Sequence, residues 1–107
     1  MNATRLISMI AIMVLSFIML ASCQTVPAPI DDYSLARSAM ESARAVQAAR
    51  HSPGFWHQAD EAYRKARILY RDREFIQAKQ EFIKARVAAE KAENSARAIR
   101  QKSGDIL

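Results

Sequence analysis

Cysteine is nearly absent from this sequence, since Cys23 is the only one in 107 residues. A single thiol cannot form an intramolecular disulfide, so packing or a partner has to stabilise the fold. Histidine is scarce too, with His51 and His57 alone. His57 and Glu61 share a helix face at i,i+4, but a zinc site needs three or four ligands. The sequence therefore predicts no metal site.

Glycine is the next scarce residue, with only Gly54 and Gly104 in the chain. Two isolated glycines cannot form a glycine-rich phosphate loop, and no zinc-hydrolase motif or serine–histidine–aspartate order occurs. Most carboxylates stand beside arginine or lysine at helical spacing, which is typical of a solvated face. These absences predict that the chain is not an enzyme and binds no cofactor.

One long apolar run is present, residues 6–23, with the sequence LISMIAIMVLSFIMLASC. Arg5 is the only charged residue before it. A positive start, an apolar core and a small-residue exit predict a secretory signal peptide over residues 1–22. An uncleaved anchor is the alternative, although spanning a bilayer takes about 20 apolar residues.

The last four residues of the run, Leu20-Ala21-Ser22-Cys23, resemble the bacterial lipobox. The resemblance implies cleavage before Cys23, lipidation of its thiol and acylation of the new amino terminus. The predicted membrane partner is then bound through the lipid on Cys23. In Gram-negative lipoproteins an aspartate after the cysteine favours the inner membrane, so Gln24 predicts the outer membrane, facing the periplasm. Inner and outer membrane both stay open, and export excludes nucleic acid as a partner.

The rest of the chain is predicted to be all-α, a three-helix antiparallel hairpin or bundle. Residues 23–33 form a flexible proline-containing tether, and residues 34–107 form an alanine-rich domain with helices over 34–50, 55–70 and 74–102. Asp31, Asp32 or Ser34 is expected to cap the first helix. Pro53 and Gly54 separate the first two helices.

The boundary between the second and third helices is predicted from periodicity alone. Apolar residues reach Tyr70 in one phase and resume at Phe75 in another. We expect a turn at 71–73; one continuous helix with a stutter is the alternative.

The third predicted helix is the longest, roughly 43 Å against roughly 27 Å for each of the others at 1.5 Å per residue. Its C-terminal turns are therefore expected to extend beyond the first two helices and to be covered by self-association or an envelope protein. The candidate partner-binding residues are Ala89, Ala92, Ala96 and Ile99.

Two further resemblances concern the helices. Phe75, Ala78, Phe82 and Ala85 are similar to the second helix of a tetratricopeptide repeat, which implies a peptide-binding surface. The alanine pattern from Ala36-Arg37 and Ala43-Arg44-Ala45 through Pro53 to Ala92 resembles a lipoprotein domain of unknown function, family forty-three ninety-eight. That family implies a helical envelope lipoprotein and no activity. The predicted function is a structural or protein-interaction module of the cell envelope; the alternative is an accessory subunit that binds peptides.

Overall fold

The chain is all-α in the computed structural model, which describes residues 2–21 and 26–104. Its helices are α1 (Ala3–Ala21), α2 (Ile30–Ala45), α3 (Ala48–His51), α4 (Pro53–Arg71) and α5 (Phe75–Lys102). No strand occurs within these described ranges. The predicted all-α class is therefore confirmed.

The first predicted helix is divided in two, which corrects the expectation of one helix over 34–50. Helix α2 begins four residues earlier, at Ile30, and ends at Ala45. Gln47 then adopts a left-handed conformation, with φ 59° and ψ 43°, and the single turn α3 follows. The left-handed residue redirects the chain so that Val46 and Ala48, on either side of it, are both buried.

The predicted cap of this helix is wrong as well. The residue before α2 is Pro29, and no side chain caps the helix through a hydrogen bond. Asp31 and Asp32 lie inside the first turn instead. There they still face the positive end of the helix dipole, which favours negative charge.

Helix α4 begins at Pro53, two residues before its predicted start. Proline suits the first helical position because its ring presets φ and its missing N–H has no partner there. The break between helices lies at the buried Ser52, which has φ −138°. Pro53 is therefore the first residue of α4, and the chain changes direction at Ser52.

A turn separates α4 from α5, as the change of phase predicts. Helix α4 ends at Arg71 and α5 begins at Phe75. Within the turn Arg73 is left-handed, with φ 63°. The Glu74 N–H donates to the Leu69 carbonyl oxygen at 2.9 Å, which closes the turn. Helices α4 and α5 therefore run antiparallel.

Helix α5 is the central element of the packed region. Helix α4 packs along it from one side, and α2 with α3 packs along it from another. The start of α2 lies near Phe75 and Ile83, and its end lies near Ala92 and Ala96. Helix α2 thus runs parallel to α5, and α2, α4 and α5 all contribute residues to the core.

Alanine dominates that core. Apart from Pro29, Met40, Val46 and Phe82, every buried apolar residue of the described chain is an alanine. Small side chains let helix backbones approach closely, but each alanine buries little apolar area. Aromatic rings add larger contacts at the end of the packed region near the α4–α5 turn, where five of them contact one another: Tyr33, Tyr63, Tyr70, Phe75 and Phe82.

Candidate functional site

The predicted lipidation residue, Cys23, lies outside the described residues. Acylation of Cys23 stays a prediction. The structure describes the chain up to Ala21 before this residue and from Val26 after it.

Helix α1 differs from the other long helices because none of its side chains from Ala3 to Ile18 is buried. Met13 and Phe17 are each 77% exposed, and Ile7 and Met9 are each 65% exposed. No described residue of α1 contacts any of the helices α2–α5. A helix that is apolar all round is suited to burial in an apolar medium rather than to packing on one face.

Among the helices of residues 2–21 and 26–104, none has both the length and the apolar character needed to cross a membrane.

The predicted tether is shorter than expected, which corrects the range 23–33. Residues 30–33 already belong to α2, and Pro29 is buried. Residues 26–29 run beside the first turns of α5 and line an open groove of about 780 Å³. Apolar side chains of Val26, Ile30, Ile76 and Ile83 line it, together with Lys79. Residues 26–33 of the predicted tether therefore belong to the helical domain.

Three of the four candidate partner-binding residues are buried inside the chain. Ala89, Ala92 and Ala96 are each 0% exposed, whereas Ile99 is 41% exposed. The expectation that the end of α5 is left uncovered is therefore wrong. The alanines pack in one cluster with residues of α2, α3 and α4, which include Met40, Ala48 and Ala59.

The length comparison failed because several segments together cover the end of α5. Helix α4 ends at the turn before α5 and runs back along it, so that Phe55 and Gln58 in its first turns border Ser95 and Ile99. The end of α2 and the turn α3 add cover at Ala92 and Ala96. The corner at Ser52 and Pro53 also borders Ser95 and Ile99. Comparing helix lengths one by one misses a cover that is built from several segments.

The residues that resemble a tetratricopeptide repeat form part of the core. Ala78, Phe82 and Ala85 are buried, and Phe75 is half-buried. Ala66 of α4 is buried in the same cluster. These residues therefore pack α4 against α5, as expected for a helical hairpin.

Helix α2 covers this hairpin through Tyr33, which sequence reasoning missed. The ring of Tyr33 stacks on Phe82 with centroids 4.5 Å apart, and it meets Tyr70 edge-on at 5.1 Å. Tyr70 in turn contacts Phe75 at 5.6 Å. No sequence pattern indicated this role, because residue 33 lies in the predicted tether.

An apolar stripe on α5 stays exposed. Ile76, Ile83 and Val87 are 60%, 36% and 39% exposed. Their spacings of seven and four residues place them on one helix face. This stripe partly coincides with the groove beside residues 26–29, since Ile76 and Ile83 belong to both.

His57 and Glu61, the one i,i+4 pair with metal-ligand chemistry, are both exposed. Within the part of the chain that the structure describes, no group of three or more His, Cys, Asp and Glu side chains lies close enough together to hold a metal ion.

Comparisons with known proteins add no relative. No family model matches the chain, and neither the curated proteins nor the solved structures give a significant match. The resemblances to the lipobox, to the alanine-rich lipoprotein domain and to the tetratricopeptide repeat stay predictions.

Proposed function

We propose that this chain is a cell-envelope lipoprotein whose helical region serves as a structural or protein-interaction module. The observation that carries the proposal is the contrast around Cys23. Before it stands α1, apolar on every side and without contact to the other helices. After it, within a few residues, begins a packed helical domain.

In this account α1 directs export and is removed, and the acylated Cys23 holds the domain at the membrane. Each buried CH₂ of a lipid chain contributes about 0.8 kcal/mol, and stable anchoring takes more than one chain. Gln24 after the cysteine favours the outer membrane, with the domain in the periplasm. Helices α2, α4 and α5 then act as a three-helix bundle.

Lipid labelling tests the anchor. Cells that express the chain and receive labelled palmitate are expected to incorporate the label, and Cys23→Ser is expected to abolish it and to leave the precursor uncut. The matched control is Cys23→Ser combined with Ser34→Cys, which places the single thiol at an exposed position of α2. This control should remain unlabelled, because acylation depends on the position of the thiol.

Globomycin, an inhibitor of lipoprotein signal cleavage, gives an independent readout. It should convert the wild-type protein to the larger precursor. An unchanged size in its presence, together with palmitate label that survives Cys23→Ser, contradicts the proposal.

The interaction role is supported by the apolar stripe Ile76, Ile83 and Val87, which the chain itself leaves exposed. It replaces the buried Ala89, Ala92 and Ala96 as the proposed contact with an envelope protein or a second copy.

Peptide binding by an accessory subunit is the second candidate, and the groove beside residues 26–29 favours it. Its apolar walls and open shape suit an extended segment, which would lie against Ile30 and Ile83. Val87 distinguishes the two candidates because it belongs to the stripe but does not line the groove. Val87→Glu should weaken binding of a folded partner and spare an extended peptide, whereas Ile30→Glu should do the reverse.

A further inference from the structure

A cleft remains between α2 and α4 because both helices pack mainly on α5 and their backbones approach each other at few positions. It has a volume of about 390 Å³ and is open to solvent. Its lining is mostly polar and includes Tyr33, Arg37, Arg44, Tyr63 and Arg67. Met40 and Glu41 complete it. Three guanidinium groups and one carboxylate leave this small cleft with two positive charges.

Aromatic rings hold two of the three arginines. The guanidinium carbon of Arg44 lies 5.5 Å from the centre of the Trp56 ring, and that of Arg67 lies 5.8 Å from the centre of the Tyr63 ring. The attraction between a guanidinium and an aromatic ring acts on the charge and leaves the N–H groups available as donors. Both side chains are therefore oriented without using up their hydrogen-bond donors.

Acidic groups neutralise these arginines poorly. Within the described ranges, no carboxylate oxygen lies within 4.0 Å of a nitrogen of Arg44 or Arg67. Arg37 Nε is 3.4 Å from Glu41 Oε1, but the two side chains are 70% and 62% exposed. An ion pair this exposed contributes little and can open to admit a ligand.

A pair of tyrosine hydroxyl groups adds a neutral donor. The rings of Tyr33 and Tyr63 meet edge-on with centroids 6.2 Å apart. Burial raises the pKa of Tyr63, and Tyr33 adds to the rise partly through a hydrogen bond between the two side chains, while the charges of Arg67 and Arg37 oppose it. Each phenol has one O–H, so this bond leaves the pair one O–H to donate to a ligand.

The positive surface continues beyond the cleft. A neighbouring depression is lined by Tyr33, Arg67, Tyr70, Arg71 and Arg73. It shares Tyr33 and Arg67 with the cleft. A ligand larger than one anionic group could therefore extend along the same face and meet further guanidinium groups.

We propose that the cleft between α2 and α4 binds a phosphate monoester, held by Arg37, Arg44 and Arg67 with Tyr33 and Tyr63. A phosphate monoester carries about −1.5 to −2 charges at pH 7 and has three acceptor oxygens, which suit the two net positive charges and the N–H donors that line the cleft. A carboxylate carries one charge and two oxygens, so it would leave the cleft partly unneutralised. Lipid headgroups and soluble phosphate share this chemistry. The inference does not depend on acylation of Cys23.

Trp56 makes the proposal measurable, since it is the only tryptophan in the chain. An anion that engages Arg44 changes the environment of the ring against which Arg44 stacks. Titration of the full chain in neutral detergent with inorganic phosphate should give a saturable change in Trp56 emission. Sodium chloride and acetate at matched ionic strength should give only a small, unsaturable change.

The variants separate a built site from general charge attraction. Arg67→Gln removes one charged hydrogen bond without touching Trp56 and should weaken phosphate affinity about tenfold. Arg67→Lys keeps the charge but loses the planar guanidinium, so its phosphate affinity should lie between that of the wild type and that of Arg67→Gln. The matched control is Arg64→Gln on the same helix, where Arg64 pairs with Asp60 at 3.1 Å. It should bind as the wild type does. Circular dichroism confirms that each variant is folded.

Vesicles distinguish the two sources of phosphate. The full chain is reconstituted into phosphatidylcholine vesicles with or without phosphatidic acid. An emission change with phosphatidic acid that Arg67→Gln suppresses identifies a lipid headgroup as the ligand, and a change with inorganic phosphate alone identifies a soluble one. The proposal is overturned if acetate gives the same saturable response as phosphate, if Arg64→Gln and Arg67→Gln weaken binding equally, or if neither source produces saturation.

Discussion

Helix α1 and the domain of residues 30–102 are both helical, yet they place their apolar side chains in opposite ways. In α1 the large apolar side chains from Leu6 to Ile18 are exposed, and Phe17 is 77% exposed. In the domain the buried positions are mostly alanine, around one fully buried aromatic ring, that of Phe82. Helical structure alone therefore does not decide which side chains are buried.

The distribution of apolar residues around each helix makes the difference. Side chains in α1 are apolar on every face, so no orientation on another helix would cover them. In α2, α4 and α5 small residues recur every three or four positions and define one face. The domain also breaks its helices at Gln47, Ser52 and residues 72–74, which lets these faces meet. Helix α1 has no such break.

The largest expected difference between the two regions comes from one substitution made twice. Phe82→Ala removes a fully buried ring and should lower the free energy of unfolding of the domain by about 3–5 kcal/mol. Phe17→Ala removes the same ring from α1 and should change that free energy by less than about 0.5 kcal/mol. Denaturant unfolding of the full chain in detergent, followed by circular dichroism, measures both. Equal losses from the two variants would show that α1 packs on the domain.

A smaller effect tests the close approach of the helices in the domain. Ala92 is fully buried against α2 and α3, so Ala92→Leu should overpack the core and cost about 1–3 kcal/mol. Ala98 lies on the exposed side of the same helix. Ala98→Leu should stay within about 0.5 kcal/mol of the wild type. If Ala92→Leu is neutral or stabilising, the alanine seam is looser than described.

The smallest expected change in stability concerns Gln47, where the helical domain has a break that α1 lacks. Gln47 has φ 59°, a region that costs a residue with a side chain roughly 1–2 kcal/mol, whereas glycine adopts it freely. Gln47→Gly should therefore raise the free energy of unfolding by about 0.5–1 kcal/mol.

Ser38→Gly is the control for that change, because Ser38 is exposed in the interior of α2. It should lower the free energy of unfolding by about 0.5 kcal/mol. Thermal melts of both variants check the opposite signs. A loss of stability from both would mean that the chain does not turn at Gln47.

Periodicity predicted much of this fold. The three-four spacing of alanine identified the faces of α2, α4 and α5, and the change of phase after Tyr70 located the turn before Phe75. These features could be read because they depend on neighbours along the chain. The division of the first helix could not, because Gln47 carries no local signal for a left-handed conformation.

The candidate site was predicted less well, and for a related reason. Burial of Ala89, Ala92 and Ala96 depends on how far α2 and α3 reach along α5, which no single helix length reveals. The cleft between α2 and α4 was missed because Arg37 and Arg67 are thirty residues apart in sequence. Each lies on its own helix, where its sequence pattern is that of an ordinary solvent-exposed arginine. Only the packing of both helices on α5 brings the two together.

The most direct test of the account is a thermal melt of residues Gln24–Leu107 beside the full chain in the same neutral detergent. We expect one cooperative transition at the same temperature in both when they are compared at equal protein concentration, because α1 contributes no contact to the domain. A shift of more than about 4 °C would correspond to roughly 1 kcal/mol for a domain of this size. Such a shift, or failure of the shorter chain to fold, would contradict the claim that the helical domain folds independently of its apolar leader.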